Sequence, residues 1–353
     1  MNNFNITKLP EFDGHEAVHF FSNKKTGLRC FISIHNRNRG PALGATRFWH
    51  YQFEEDALRD SLRLSRAMTY KCALAGIRYG GGKGVIIADK KKTKTSSLIC
   101  AYAKAVDSLG GIFRTGEDVG MNNRDVRIMA EETQFVIGKI PKRSDNPAYW
   151  AALGTLYSSQ TALKAVFGSS DVAGRTYAIK GLGKLGLELA KLIVDLGGEV
   201  IGADLEKGVI AKAKKQVPSI KIVSPSVIHK QKVDVYSPCA MGREFNDKTI
   251  KELRCQIICG GANNQLSSRE DGVNLCKMDI LYIPDYLANA GGLINVAAEL
   301  RPEGYDRKWV VNKCKAIAKT TEMIIKKANR HHKPTSEVAD QLAEKIFKKK
   351  GSN

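Results

Sequence analysis

Residues 175–204 read RTYAIKGLGKLGLELAKLIVDLGGEVIGAD. An apolar run at 175–180 fits a buried strand, and the helical pattern of 184–196 follows it. A second apolar run at 199–204 then ends on an acid. Between the first strand and the helix, Gly181, Gly183 and Gly186 make G-x-G-x-x-G. Strand, glycine turn, helix and a strand ending in Asp204 form one βαβ unit, a far more specific signal than the glycines alone. Glycines there let the backbone approach a pyrophosphate at the helix N-terminus, and a carboxylate at the second strand's end accepts from a ribose diol. Asp204 would also repel a 2′-phosphate, so the expected cofactor is NAD rather than NADP.

Working outward, further strands are expected at 233–236, 256–259 and 280–283. Each runs into a polar or glycine-rich loop: SPCAMG, GGANNQL and PDYLANAGG. Such loops line the ligand crevice of an open parallel sheet. A helix at about 151–167 precedes the unit, and 306–349 is helical with a break at 331–334. The segment 140–147, IPKRSDNP, has the composition of a linker.

The first half is organised around TYKCALAGIRYGGGKGVII, residues 69–87. Lys71 and Lys83 lie twelve positions apart in apolar surroundings, the second directly after Gly80, Gly81 and Gly82. We expect the glycines to form a loop that presents Lys83 to a ligand, and a neighbouring ammonium to favour the neutral amine a base needs. Around this segment, 28–34 reads as a strand and 39–49 as a turn-rich entry to another. Residues 54–70 read as an amphipathic helix with an acidic start, and 84–88 as a strand. Helices at 95–109 and 125–136 flank GIFRTGEDV (111–119), a short strand ending in an acidic loop.

With 353 residues and 43% hydrophobic content the chain can build two cores. Lys and Arg number 56 against 36 acids, for a net charge of +20. The basic residues are spread along the chain with short runs only at 90–92 and 348–350, and no zinc-finger or RNA-binding motif accompanies them. That argues for a solvated basic surface attracting anionic small molecules, and against a nucleic-acid partner. Eight cysteines form no CxxC pair and suggest neither a disulfide framework nor a metal site, as in a reduced cytoplasmic protein. No signal segment or apolar run of membrane-spanning length is present, so no membrane role is expected.

Six blocks, GPALGATR, MTYKCALAG, GGGKGVI, GEDVG, GANNQL and NAGGLINV, resemble in order and spacing the amino-acid dehydrogenases related to glutamate dehydrogenase. They are most similar to the leucine/valine/phenylalanine branch, from about residue 39 to 298. The resemblance implies two α/β domains with a cleft between them. Residues 1–140, with a C-terminal helix at about 333–353, would form the substrate and oligomerisation domain, and 141–332 a Rossmann-type NAD domain. It implies hinges near 140–150 and 288–295, a homo-oligomer, and NAD-dependent oxidative deamination of an L-amino acid to the 2-oxo acid and ammonia.

By the same resemblance Lys71 binds the substrate α-carboxylate, Lys83 is the base that activates water, and Asp118 exchanges protons with the amino nitrogen. Leu43, Gly116, Leu293 and Val296 match the side-chain pocket, and Gly44, Asn264 and Asn289 the rest of the substrate site. Gly181, Leu182, Gly183, Lys184, Leu185, Gly186, Asp204, Cys239, Ala240, Ala262, Asn263, Asn264 and Asn289 match the cofactor site. Glutamate-specific relatives carry lysine at the position of Leu43, so a buried side-chain carboxylate would lack its partner here. Gly116 stands where leucine enzymes usually have Ala, making room for an aromatic side chain, and Leu293 takes some of it back. One departure is Ala151 where relatives have a Thr that helps position the nicotinamide; Lys184 inside the glycine motif is another. The leading expectation is a branched-chain or aromatic amino-acid dehydrogenase. The alternatives are a biosynthetic Phe/Trp enzyme and a catalytically weak NAD-binding homologue with an interaction role.

Overall fold

The computed structural model describes residues 5–89, 94–138, 146–240 and 242–349. The chain divides into two compact units. The first comprises Met1–Ser144, Glu299–Pro302 and Ala343–Asn353, and the second Asp145–Ala298 and Glu303–Leu342. These bounds compare with the expected break at 140 and return at about 333. Most of the expected linker, 140–145, lies outside the described residues.

Unit 1 is a mixed sheet with helices on it. Its strands are β1 (Ala17–Asn23), β2 (Leu28–Asn36), β3 (Ala42–Leu43), β4 (Thr46–Trp49), β5 (Gly80–Ile87) and β6 (Phe113–Arg114). The helices are α1 (Glu54–Leu74), α2 (Ser96–Asp107) and α3 (Asn123–Glu132). The order is β1-β2-β5-β3-β6, and β4 also pairs with β5. β2 runs antiparallel to both β1 and β5, whereas β3 and β4 run parallel to β5, one interrupted strand beside it. One core lies between the sheet and α2/α3 (Ile32, Ile34, Ile86, Ile99, Tyr102, Phe113), and a second beneath α1 (Phe31, Leu58, Leu62, Val85).

Three local expectations are corrected. The glycine run Gly80–Gly82 is not a loop but the first part of β5. Its glycines serve packing: a Cβ on Gly81 would fall inside the backbone of α1 at Thr69 and Ser65, and one on Gly80 inside the Asn36 carbonyl. α1 continues past 70 to Leu74, so Lys71 sits in its last turn, where a cation complements the helix dipole. The helix expected at 125–136 stops at Glu132, and Val136 instead bridges Thr115.

Behind α1 lies a buried histidine pair. His15 Nε2 meets the Leu62 carbonyl and Ser65 Oγ, each at 3.0 Å, and His35 Nδ1 meets Thr69 Oγ1 at 2.8 Å. The rings are edge-to-face at 4.8 Å, with Phe347 packed on His35. Burial, and to a lesser degree the His35 ring, pushes His15 down to about 4. The unfolded chain therefore takes up a proton near pH 6.5 that the folded chain refuses, and stability falls as pH drops from 6.5 towards 4, by up to about 3 kcal/mol. Melting curves should show a Tm that declines over this window, with a shallower slope in His15→Gln.

Unit 2 holds β7 (Thr176–Lys180), β8 (Glu199–Ala203), β9 (Lys221–Ile222), β10 (Val233–Pro238), β11 (Cys255–Ile258) and β12 (Leu281–Tyr282), all parallel, in the order β12-β11-β10-β7-β8-β9. This is the doubly wound nucleotide-binding order, with its switch point between β7 and β10. The helices are α4 (Pro147–Phe167), α5 (Lys184–Asp195), α6 (Lys207–Gln216), α7 (Asp247–Ile250), α8 (Arg269–Lys277), α9 (Asp285–Ala288), α10 (Gly291–Ala297), α11 (Arg307–His331) and α12 (Thr335–Lys348). α12 is counted to unit 2 as far as Leu342 and to unit 1 from Ala343. Gly154 lets α4 pack closely, since a Cβ there would lie 2.8 Å from the Ala288 carbonyl oxygen and 2.9 Å from Ile317 Cδ1. All eight cysteines are free. Among the described residues, no helix is long and apolar enough to cross a membrane. Nor do they include a group of three or more His, Cys, Asp or Glu side chains that could hold a metal.

Candidate active site

Within unit 1 the site residues come from four neighbouring segments. β5 carries Lys83, buried to 5% exposure. β3 carries Leu43, fully buried and paired with Gly81 and Arg114. Gly44 follows it, with the Gly82 carbonyl where its Cβ would stand. The loop after β6 carries Gly116 and Asp118. It is tied to β4 by Thr46 N donating to the Gly116 carbonyl and Phe48 N to the Val119 carbonyl, both at 2.9 Å. Beneath it Thr46 Oγ1 meets Thr115 Oγ1 and Tyr102 OH, each at 2.6 Å.

The loop is thereby registered so that Lys83 Nζ donates to Asp118 Oδ2 at 2.5 Å. Burial works to raise the Asp118 carboxyl, but the Lys83 ammonium and the Arg47 guanidinium outweigh it and hold it down at about 2. A carboxylate thus faces Lys83, and the two form an ion pair on neighbouring segments. Lys71 lies half-buried at the end of α1.

Gly116 stands against Ile137. A Cβ there would lie 2.8 Å from Ile137 Cγ1 and 3.2 Å from the Ile137 carbonyl oxygen. The space left by the absent methyl is taken by Ile137, a residue the sequence reading did not single out.

Within unit 2 the candidate cofactor residues follow the C-terminal ends of β7, β8, β10, β11 and β12. Gly181 turns with φ +94°, and a Cβ on it would lie 2.7 Å from Ala240 N and 2.8 Å from Cys239 C. Gly186 has the Gly181 carbonyl where its Cβ would stand, and a Cβ on Gly261 would run into Leu185. Gly183 has open space instead, and α5 starts there with no side-chain cap. The first N–H groups of α5, from exposed Lys184 onward, thus suit an anion. Asp204 accepts from Leu182 N at 2.7 Å and from Glu206 N at 3.0 Å, which fixes its carboxylate beside the glycine turn.

Ala262 N donates to the Pro238 carbonyl at 2.9 Å, joining the β11 loop to that of β10. Asn289 Nδ2 donates to the Gly261 carbonyl at 3.0 Å and to Asn263 Oδ1 at 2.8 Å, while its Oδ1 is buried with no hydrogen-bond partner. Asn264 takes a left-handed conformation, φ +55°, and its carbonyl accepts from Arg243 N at 2.6 Å. Leu293 and Val296 are three apart on α10, one buried and one half-buried. An open glycine, an uncapped helix start and an orphaned buried acceptor are what a dinucleotide with a carboxamide would fill. Two buried supports escaped the sequence reading. Gln265 binds the Gly260 and Ala262 carbonyls, each at 2.9 Å, and Asp285 accepts from Gln265 N at 2.9 Å. Their signal was only that polar residues interrupt otherwise loop-like runs.

Two family profiles match the chain. The first, "Glu/Leu/Phe/Val dehydrogenase, dimerisation domain", covers residues 15–135, and the second, "Glutamate/Leucine/Phenylalanine/Valine dehydrogenase", covers 206–348. Leucine dehydrogenase from Geobacillus stearothermophilus is 39% identical over 96% of this chain and 92% of its own length. Phenylalanine dehydrogenase from Thermoactinomyces intermedius is 40% identical over 95% and 92%. The crystal structure of L-tryptophan dehydrogenase from Nostoc punctiforme superposes with a TM-score of 0.81 at 38% identity, over 95% of this chain and 96% of that one.

Proposed function

The chain belongs to the Glu/Leu/Phe/Val dehydrogenase family and is an NAD-dependent amino-acid dehydrogenase, and on that premise we propose that it deaminates a branched-chain or aromatic L-amino acid. The reaction takes amino acid, NAD⁺ and water to 2-oxo acid, ammonium, NADH and a proton. The observation that carries the reading is the Lys83–Asp118 ion pair at 2.5 Å, an amine and an acid within proton-transfer distance on adjacent segments.

In this proposal Lys71 holds the substrate α-carboxylate at the end of α1. Asp118 takes a proton from the substrate ammonium, so that the amine lone pair can assist loss of the Cα hydride. Bound NAD⁺ supplies the hydride acceptor. Lys83 as free amine takes a proton from the water that attacks the iminium carbon. The amino group of the carbinolamine then takes the proton held by Asp118 and leaves as ammonia, while the hydroxyl loses its proton to give the 2-oxo acid. Residues 181–186, Asp204 and the rim around Asn289 hold the dinucleotide. Ala151 lacks the hydroxyl its relatives offer to the nicotinamide; one turn on, the Thr155 hydroxyl is spent on the Ala151 carbonyl at 2.9 Å. Assembly through unit 1 is supported by the dimerisation-domain match over residues 15–135.

Leu43 supports an apolar substrate side chain, because a glutamate carboxylate placed against a fully buried leucine would go unpaired. Near-equal identity to the leucine and phenylalanine enzymes leaves the choice between aliphatic and aromatic to the pocket. A panel of L-amino acids ranked by kcat/KM tests the reading. Leu, Ile, Val, Phe or Trp should lead and Glu should trail by at least about 100-fold. A lead for Glu would exclude it.

Gly116 and Ile137 give the pocket its own test. In Gly116→Ala the added methyl must displace Ile137, so the Phe-to-Leu ratio of kcat/KM should fall by about 10-fold or more, since one methylene in an apolar pocket is worth roughly 10–200-fold. An unchanged ratio would remove Gly116 as the size determinant.

A further inference from the structure

Asp118 faces two cations, and both address the same oxygen. Lys83 Nζ from β5 stands 2.5 Å from Oδ2, and Arg47 Nε from β4 stands 3.4 Å from it. The second approach is not a hydrogen bond: Arg47 Nε is buried and has no hydrogen-bond partner. A buried guanidinium N–H left unpaired costs free energy unless some state of the molecule uses it. Arg47 is also held firmly from behind. It donates through NH1 to Asp60 Oδ2 at 2.8 Å, and Asp60, 7% exposed, also accepts from Tyr51 OH at 2.6 Å and Arg63 NH2 at 2.7 Å. The backbone of β4 is bonded to the Asp118 loop on both sides of that residue. The guanidinium is therefore aimed at Asp118 by α1 and carried by the strand that registers the loop.

The proposed reaction asks Lys83 to act as a free amine. Once its proton has gone to solvent, Lys83 no longer balances the Asp118 charge. A carboxylate left alone in a site four-fifths buried would itself take a proton, and would then be unable to accept one from the substrate ammonium. An arginine does not deprotonate and offers its N–H donors in a fixed fork, so one guanidinium can hold Asp60 and Asp118 together.

We propose that Arg47 is a positioning residue that takes over the Asp118 carboxylate, closing the 3.4 Å gap to a hydrogen bond, whenever Lys83 is deprotonated. This rests on the reading of Lys83 and Asp118 given above. The groups that set the titration of Asp118 are then Lys83 on β5 and Arg47 on β4, with Asp60 and Arg63 on α1 and Tyr51 behind Arg47. On the loop itself are the exposed Glu117 and, at its far end, Gly120, whose carbonyl accepts from Lys94.

The test is the pH profile of kcat for the full-length enzyme, on whichever of L-Leu, L-Phe or L-Trp it turns over fastest, in Arg47→Met, Arg47→Lys and Asp118→Asn. Arg47→Met should lower kcat by about 10- to 100-fold with KM for the amino acid nearly unchanged, and should move the acid limb up by about one pH unit. Arg47→Lys, charged but unable to span both acids, should show part of that displacement. A profile with the wild-type limb in both variants, whatever their Tm, overturns the proposal. Should Arg47→Met fail to fold, the limb of Arg47→Lys decides alone in the same way. Asp118→Asn separates the two levels. If it retains wild-type kcat, the catalytic reading itself fails; if it is inactive while the Arg47 variants keep the wild-type profile, only the role of Arg47 fails.

Discussion

Lys83→Ala is expected to lose at least about 10³-fold in kcat while binding NAD as tightly as the wild type. General acid–base groups contribute roughly 10²–10⁴-fold, and here one residue is asked to shuttle the proton of the attacking water. Lys83 is 6% exposed at its side chain and ion-paired, so bulk buffer cannot readily replace it. The cofactor residues lie wholly in unit 2, whereas Lys83 belongs to unit 1. Loss of turnover should therefore appear without loss of NAD binding, as read by protein fluorescence. Asp118→Asn should behave similarly, and the double variant should be little worse than either single one, because the two form one buried ion pair and coupled residues are strongly non-additive. Additive losses would mean that the ion pair does not couple the two residues.

Gly81→Ala is expected to unfold or severely destabilise unit 1. The added Cβ would overlap Thr69 N, Thr69 Oγ1 and the Ser65 carbonyl, mostly backbone of α1. A rigid helix cannot yield as the end of a flexible side chain can, so the cost should exceed the usual 1–3 kcal/mol of overpacking. The same displacement would move Lys71 relative to Lys83, so residual folded protein should be nearly inactive. Calorimetry should show a fall in Tm of about 5 °C or more for the transition of unit 1. An unchanged Tm would mean that α1 and β5 are not packed as described.

The two halves of the fold were legible to different degrees. Residues 175–204 carry strand, turn, helix and strand signals that agree with one another, and the later strands announce themselves by apolar runs ending in glycine- and asparagine-rich loops. That consistency made the Rossmann unit readable. The stretch 80–82 misled because three glycines look like a loop locally, while their reasons lie across in space: the Asn36 carbonyl for Gly80, the α1 backbone at Ser65 and Thr69 for Gly81, and the Phe113 ring for Gly82. The short strands β3 and β4 are extended by parallel pairing with β5 rather than by a pattern of their own.

At the site, the glycine-flanked lysine drew attention to Lys83 and the family resemblance to Asp118, but neither showed which charge each faces. Arg47 was one of 56 basic residues and carried no mark until its guanidinium was seen between Asp60 and Asp118. Ile137 fills the space beside Gly116 through a bridge between distant segments, a contact that no local window contains.

The most direct measurement is product stoichiometry in single-enzyme incubations with NAD⁺ and L-Leu, L-Phe or L-Trp, wild type beside Lys83→Ala. The account predicts NADH, 2-oxo acid and ammonia in equal amounts from the wild type, and none of the three from a Lys83→Ala protein that still binds NAD. NADH without ammonia, or undiminished turnover in Lys83→Ala, would contradict it.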